Sequence, residues 1–409
     1  MKAKPKIIKP PIALFDQPEY IGKNTSNLKS SSFHVVDYNQ ALSFLKAYNG
    51  SYGTFNAYRR EVERLLHWSW LIAKKSIKDL KRDDIENFIK FCQKPPKEWI
   101  GLNRVSRFIE KEGVRIPNPK WRPFVAHISK MKHKDGEISS VDNYVLSSVS
   151  VKEIFAILGS FYNFLLQEEY AIINPVALIR QKSKFVKKNQ GKVKIRRLSE
   201  LQWQYLIETV TQMADAEPDV HERSLFIISA LYSMYLRISE LVASDRWTPL
   251  MKNFYKDNNN HWWFLVVGKG NKERDIAVSN SMLAALKRWR KHLGLSPLPS
   301  PSDNSPIFPR TKGIGPLAGT AYIRKIVQHC FDKTIERLNQ DRFKEDAELL
   351  TEATVHWLRH TGISDDVKRR PREHVRDDAG HSSSATTDKY IDIQLQERYR
   401  SARDKPISE

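Results

Sequence analysis

Apolar residues recur at helical spacing in three stretches of the amino-terminal half. From Thr54, the side chains Phe55, Tyr58, Val62, Leu65 and Leu66 fall on one helical face, and from Asp83 the residues Ile85, Phe88 and Ile89 continue that pattern. A third helix is expected to open at Ser150, with Glu153 at capping-box spacing. It carries Ile154, Phe155, Leu158, Phe161, Tyr162 and Leu165 and is expected to stop at Asn174-Pro175. Between the second and third stretches, Lys94 to Lys134 shows no period and reads as an irregular, basic segment, with eleven Lys or Arg against three Glu.

The carboxy-terminal half opens a new helix at Leu198-Ser199, where Ser199 and Gln202 repeat the capping pattern. One hairpin is expected: His261 to Val267, a turn through Gly268-Lys269-Gly270-Asn271-Lys272, then Arg274 to Val278. Helices are expected at Met282 to Lys291, Ala321 to Leu338, Ala347 to His360 and Arg372 to Ala379. The fold class is therefore mainly α with a small antiparallel β-sheet.

Two aperiodic stretches set the domain limits. Residues 1–34, rich in Pro, Lys and Ser, read as a flexible or extended basic arm. Residues 181–197 carry eight basic side chains and no acidic one: Lys182, Lys184, Lys187, Lys188, Lys192, Lys194, Arg196 and Arg197. A cationic linker between two folded bodies is well placed to lie along a phosphate backbone. The expected division is an arm (1–34), a helical domain (35–180), a linker (181–197), a second domain (198–391) and a tail (392–409).

Composition adds the partner. The chain has 409 residues, 40% of them apolar, enough to give two domains a core each. Lys and Arg outnumber Asp and Glu by 68 to 47, a formal charge of +21, which is the footprint of a protein that binds a polyanion. The two cysteines, Cys92 and Cys330, stand in no metal-ligand spacing and fit a reducing cytoplasm. Neither a secretory leader nor a run of some 18 apolar residues is evident, so a protein neither secreted nor membrane-embedded is expected, acting in the cytoplasm on the nucleoid.

Breaking a phosphodiester without a metal requires a nucleophile, cations on the non-bridging oxygens and a proton donor for the leaving oxygen. The second domain carries candidates for each. Arg237 lies in the string LRISEL, Lys269 in the turn GKGNKER, and His356 and Arg359, three apart on one helix face, in HWLRHT; His381 and Tyr390 follow. The i, i+4 pair His356 and His360 has zinc spacing but lacks the intervening Glu and a third ligand, and Gly268-Lys269-Gly270 lacks the rest of a phosphate-binding loop. Neither a metal nor a nucleotide cofactor is expected.

In this order, LRISEL, GKGNKER, HWLRHT, GHSS and TTDKY resemble the tyrosine recombinases of the phage integrase family, with all six family positions filled. The resemblance is strongest from Leu198 to Ile391 and looser over 35–180. It implies a helical core-binding domain and an integrase-type catalytic domain that form a two-domain clamp around double-stranded DNA at specific recombination sites. By the same resemblance Arg237 and Arg359 hold the scissile phosphate, His356 and His381 hydrogen-bond it or assist proton transfer, and Lys269 protonates the leaving 5′ oxygen. Tyr390 would form a 3′-phosphotyrosine, and rejoining would need no ATP. The outcome implied is integration, excision or resolution of a mobile element, by a homotetramer on synapsed DNA whose tails couple neighbouring protomers.

The chain departs from the family where Lys368-Arg369-Arg370-Pro371-Arg372 and Arg376-Asp377-Asp378 replace the usual apolar approach to Gly380-His381. Two other readings use the same residues. A type IB topoisomerase-like enzyme would relax supercoils without exchanging partners, and a non-catalytic DNA-binding accessory protein would have no need of the nucleophile.

Overall fold

In the computed structural model, which describes residues 9–22, 32–48, 51–128, 130–134, 136–180, 196–268, 271–390 and 403, the chain divides into two compact units, 1–190 and 191–409. The first contains α1 (Ser32–Ala47), α2 (Tyr52–Trp68), α3 (Arg82–Gln93), β1 (Ile100–Gly101), β2 (Phe108–Lys111), β3 (Val114–Pro117), β4 (Phe124–Val125), α4 (Lys130–Lys134), α5 (Ser148–Gln167) and α6 (Ala177–Arg180). The expected periodic residues of α2, α3 and α5 are buried together in one core with Tyr38, Phe44 and Leu45 of α1, except Tyr58, which packs half-buried against it.

Local chemistry moves several expected boundaries. Helix α5 is capped by Ser147, whose hydroxyl accepts the Ser150 N–H at 3.1 Å, so the helix starts ahead of the expected Ser150 cap. It ends at Gln167, where Glu169 turns to φ 55°; Asn174 instead caps α6, its side-chain oxygen accepting the N–H groups of Val176 and Ala177 at 3.1 Å each. Helix α5 is also long and apolar enough by composition to cross a bilayer, contrary to the sequence expectation, yet its Ile154, Phe155, Leu158, Phe161, Tyr162 and Leu165 lie in the core.

The 94–134 segment is not irregular. β1 pairs with β4 in parallel, and β2 pairs with β3 across a tight turn in which Glu112 and Gly113 both take positive φ, 52° and 74°, the geometry that matches strand twist. The strands are two and four residues long, too short to show alternation. Trp99 and Phe124 enter the core, and Trp121 packs with Phe108 and Ala13. Ala13 and Phe15 are buried, and the Asp16 carboxylate holds the Arg115 guanidinium at 2.6 and 2.7 Å. Part of the expected arm is therefore fixed to the fold.

The second unit contains α7 (Glu200–Ala216), α8 (Pro218–Ser233), β5 (Phe254–Lys256), β6 (Trp262–Val267), β7 (Glu273–Ala277), α9 (Asn280–His292), α10 (Thr320–Gln340), α11 (Lys344–Thr351), α12 (Val355–Asp366), α13 (Arg372–Ala379) and α14 (Ser384–Thr387). The Ser199/Gln202 box is formed at both ends: the Gln202 N–H reaches Ser199 Oγ at 3.1 Å and the Ser199 N–H reaches Gln202 Oε1 at 2.9 Å. Strands β5, β6 and β7 make one antiparallel sheet in that order, with Phe254 opposite Phe264 and Phe264 opposite Ile276; β5 is a strand the sequence pattern missed.

The expected helix from Ala347 to His360 is two helices. Thr354 is extended, at φ −127° and ψ 164°, so the chain changes direction before α12, and the two threonines flanking the break are weak helix formers. Helix α8, with Leu225, Phe226, Ile227, Ile228, Ala230 and Leu231 all buried, runs through the middle of the core. Helix α12 packs against its carboxy-terminal end at Gly362, where a Cβ would lie 2.0 Å from the Tyr232 carbonyl oxygen. Only glycine permits that approach, and it sets Arg359, one turn earlier, under the end of α8.

Candidate active site

Beyond α8 the chain turns at Tyr235, which takes a left-handed φ of 50° with its side chain fully buried. Arg237 follows and opens a 3-10 turn, Ile238–Leu241. Glu240 of that turn is the anchor: one carboxylate oxygen accepts the Arg237 N–H at 2.8 Å, the other its Nη1 at 2.9 Å, and both are forked by Arg274 of β7 at 3.0 and 2.8 Å. Burial alone would raise the Glu240 pKa, but the bonds and charge of Arg274 and Arg237 outweigh it and hold the carboxyl below its usual range.

This buried acid with two guanidiniums is costly to break from one side. Glu240→Gln should lower unfolding stability by about 3 kcal/mol at neutral pH, measured by chemical denaturation. Because the folded pKa is depressed, the contribution is present above the unfolded glutamate value of about 4.3 and is lost as pH falls through the folded value. The gap between wild type and variant should therefore close in acid; a gap that is constant with pH would show that Glu240 acts by shape alone.

Helix α12 presents His356, Arg359 and His360. Arg359 is 2% exposed and donates to the Tyr235 carbonyl and, at 2.5 Å, to the Ala379 carbonyl, while its Nη2 lies 3.4 Å from His381 Nε2. Among the described residues no carboxylate oxygen sits within ion-pair distance of this guanidinium. Burial, and then the charge of Arg237, bring its pKa down to about 10, so it remains a cation at neutral pH. A buried cation left without an acid is unfavourable unless an anion completes it.

His381 follows Gly380, which ends α13 in the left-handed region at φ 63°, where a Cβ would meet Arg274 Cδ at 2.8 Å. The Gly380 carbonyl accepts Arg237 Nη2 at 3.3 Å, and His381 Nδ1 pairs with Thr387 Oγ1 at 2.9 Å. Burial, with Arg359 and Arg237 nearby, pushes His381 down to about 4, and burial lowers His356 in the same direction; both are neutral at pH 7.

The charged approach to His381 resolves into a polar network that replaces apolar packing. Arg370 donates to the buried Asp378 at 2.6 Å and to the Tyr235 hydroxyl at 3.1 Å, and that hydroxyl also bonds Asp366. The Asp378 carbonyl in turn accepts Arg274 Nε at 2.9 Å, tying α13 to β7. Beneath this network Tyr235, Ile363, Val375, Ala379 and Tyr390 form a small apolar cluster.

Tyr390 ends a 3-10 turn, Asp388–Tyr390, and is 7% exposed. Its hydroxyl lies 2.5 Å from His360 Nδ1, and its ring is 5.8 Å from that of His381. Burial raises its pKa, against the pull of Arg359 and Arg237. The structure thus brings Arg237, His356, Arg359, His381 and Tyr390 to one place. Lys269 lies outside the described residues, as do Lys182, Lys184, Lys187, Lys188, Lys192, Lys194 and most of the tail. Of the linker cations, Arg196 is exposed and Arg197 reaches Asp365 at 3.9 Å.

Sequence reasoning missed Glu240, Arg274 and His360. The i, i+3 step from Arg237 to Glu240 is the one local signal for the first; Arg274 is joined to it only by the fold. His356 and His360 meet edge to face at 4.2 Å, and among the described residues no group of three His, Cys, Asp or Glu side chains is placed to hold a metal.

Residues 196–397 match the phage integrase family. The tyrosine recombinase XerC of Xanthomonas axonopodis pv. citri is 25% identical over 344 residues, covering 84% of this chain and 87% of that protein. XerC of Chlorobaculum parvum is 22% identical over 308 residues, 73% of this chain and 80% of the relative. Among solved structures, the XerH site-specific recombinase bound to a palindromic difH substrate in a post-cleavage complex superposes with a TM-score of 0.54 at 18% identity, covering 97% of this chain and 99% of the other.

Proposed function

Because the chain is a tyrosine recombinase of the phage integrase family, an enzyme of site-specific DNA recombination, we propose that it cuts and rejoins strands through a 3′-phosphotyrosine on Tyr390. The observation that carries this reading is the buried Arg359 guanidinium, which no carboxylate among the described residues neutralises, beside the Tyr390 hydroxyl. A phosphodiester is the anion that completes such a site: its non-bridging oxygens take the Arg359 and Arg237 forks, with His381 and His356 as neutral hydrogen-bond partners. Tyr390 attacks phosphorus, and the bond to the 5′ oxygen breaks as that oxygen takes a proton from Lys269. Reversal by a 5′-hydroxyl from a partner strand rejoins the DNA without ATP. The substrate is double-stranded DNA carrying specific sites, in integration, excision or resolution of a mobile element, in the cytoplasm and by a tetramer on synapsed DNA.

A pool of nicked duplexes with randomised sequence, offered in chelator and without ATP, tests this. Covalent adducts should form and their DNA should be enriched for one sequence; DNA retained without any adduct would favour a non-catalytic binding protein.

The role of Lys269 has its own test. Lys269→Ala should cleave at least about 100-fold more slowly, the scale of general acid catalysis. A duplex with sulfur in place of the bridging 5′ oxygen should restore most of that rate, since a thiolate departs without a proton. Rescue of Lys272→Ala by sulfur, with Lys269→Ala remaining slow, would move the donor to Lys272.

A further inference from the structure

The phosphate-binding groups account for charge but leave the proton on Tyr390, whose side chain is buried in the small apolar cluster and whose pKa is raised by that burial. A phenol in that state is a poor nucleophile at neutral pH and needs an acceptor for its proton. We infer that His360, whose Nδ1 stands 2.5 Å from the Tyr390 oxygen, takes that proton as the general base of strand cleavage. This rests on the reading of Tyr390 as the nucleophile. In the step, the Tyr390 oxygen bonds to phosphorus, its proton passes to His360 Nδ1, the bond from phosphorus to the 5′ oxygen breaks, and that oxygen takes a proton from Lys269.

The surroundings fit a base. His360 is half-buried on α12, and the titratable or charged groups facing it are His356 and Arg359 from its own helix, His381 from beyond α13, and Tyr390. Burial, then these neighbours, bring His360 down to about 4, so the imidazole is neutral at pH 7 and has a lone pair to offer. A bound phosphodiester adds a negative charge beside Arg359 and raises the basicity of His360 when it is needed. The same helix turn therefore delivers the phosphate-holding Arg359 and the proton acceptor as neighbours in sequence.

The test separates holding the hydroxyl from taking its proton. The side-chain oxygen of asparagine falls near the position of a histidine Nδ1, so His360→Asn can accept the hydrogen bond but not the proton. Adduct formation is followed on nicked duplexes carrying sulfur at the bridging position, which removes the leaving-group proton from the rate. His360→Asn and His360→Ala should both react at least about 100-fold more slowly than wild type at pH 7. Their rates should climb about tenfold per pH unit as Tyr390 ionises unaided, while wild type stays flat. A His360→Asn rate equal to wild type, or variants slowed uniformly with the flat wild-type profile, would overturn the base and leave only a positioning contact. Tyr390→Phe in parallel keeps the two claims apart, since adduct from that variant would remove the nucleophile itself.

Discussion

Tyr390→Phe should bind DNA as the wild-type chain does and form no covalent adduct at all. The substitution removes one oxygen. The ring keeps its contacts with Tyr235, Ile363, Val375 and Ala379, and among the described residues the hydrogen bond lost is the one to His360, a stability change of about 1 kcal/mol. Against that small structural effect stands the whole covalent step, because among the described residues no other hydroxyl bonds to an imidazole of this cluster except that of Thr387, which is occupied by His381 Nδ1. The measurement is adduct on a nicked duplex, resolved under denaturing conditions, beside a binding titration of the same protein. Adduct persisting in Tyr390→Phe would place the nucleophile elsewhere and dissolve the site as described.

Arg359→Ala should lower the cleavage rate at saturating DNA by at least about 1,000-fold, the upper range for losing one preorganised charge-stabilising group. The guanidinium offers two donors in one plane, so Arg359→Lys should recover little of the rate. Because Arg359 also satisfies the Tyr235 and Ala379 carbonyls, part of the loss could come from a disturbed fold. A duplex whose scissile phosphate carries a methyl group in place of one charged oxygen separates the two causes. It removes the charge that Arg359 balances, so the alanine variant should cleave it at a rate much nearer to wild type. A variant equally slow on both duplexes would show that Arg359 is a structural residue.

Which parts of this site were legible in the sequence follows from how each residue is held. His356 and Arg359 share a helix face by their three-residue step, which α12 converts directly into geometry, whereas His381 and Tyr390 were legible through the family resemblance of the ordered strings GHSS and TTDKY. The Ser199/Gln202 box was legible by its fixed offset, as His356 and Arg359 were. Arg274 was not, because its meaning depends on Glu240 and on the Asp378 carbonyl, which the fold brings to it from distant parts of the chain. Lys368 to Arg372 and Arg376 to Asp378 show in the sequence only that the usual apolar approach to His381 is missing; that Arg370 pairs with Asp378 and with the Tyr235 hydroxyl is visible only in the fold.

The amino-terminal unit shows the same limit. Helices α2, α3 and α5 announce themselves by period, whereas α1, which opens at Ser32 inside the expected arm, does not, β1 to β4 are too short to have one, and the burial of Trp99, Trp121 and Phe124 is visible only when the 94–134 segment is folded. The break between α11 and α12 was hidden because apolar spacing continues across it, and the extended Thr354 gives α12 its own direction; in the fold His360 is the hydrogen-bond partner of Tyr390.

In the proposed reaction, strand cleavage leaves one tyrosine covalently bonded to the 3′ end of the cut strand. Adduct trapped on a nicked duplex can be digested with protease and nuclease and the nucleotide-bearing peptide sequenced by mass spectrometry, while the released strand is tested for its terminal group. A single modified residue, Tyr390, is expected, joined through a 3′ phosphate, with a free 5′-hydroxyl on the released strand. A nucleotide on any other residue, or a linkage through the 5′ phosphate, would contradict that expectation.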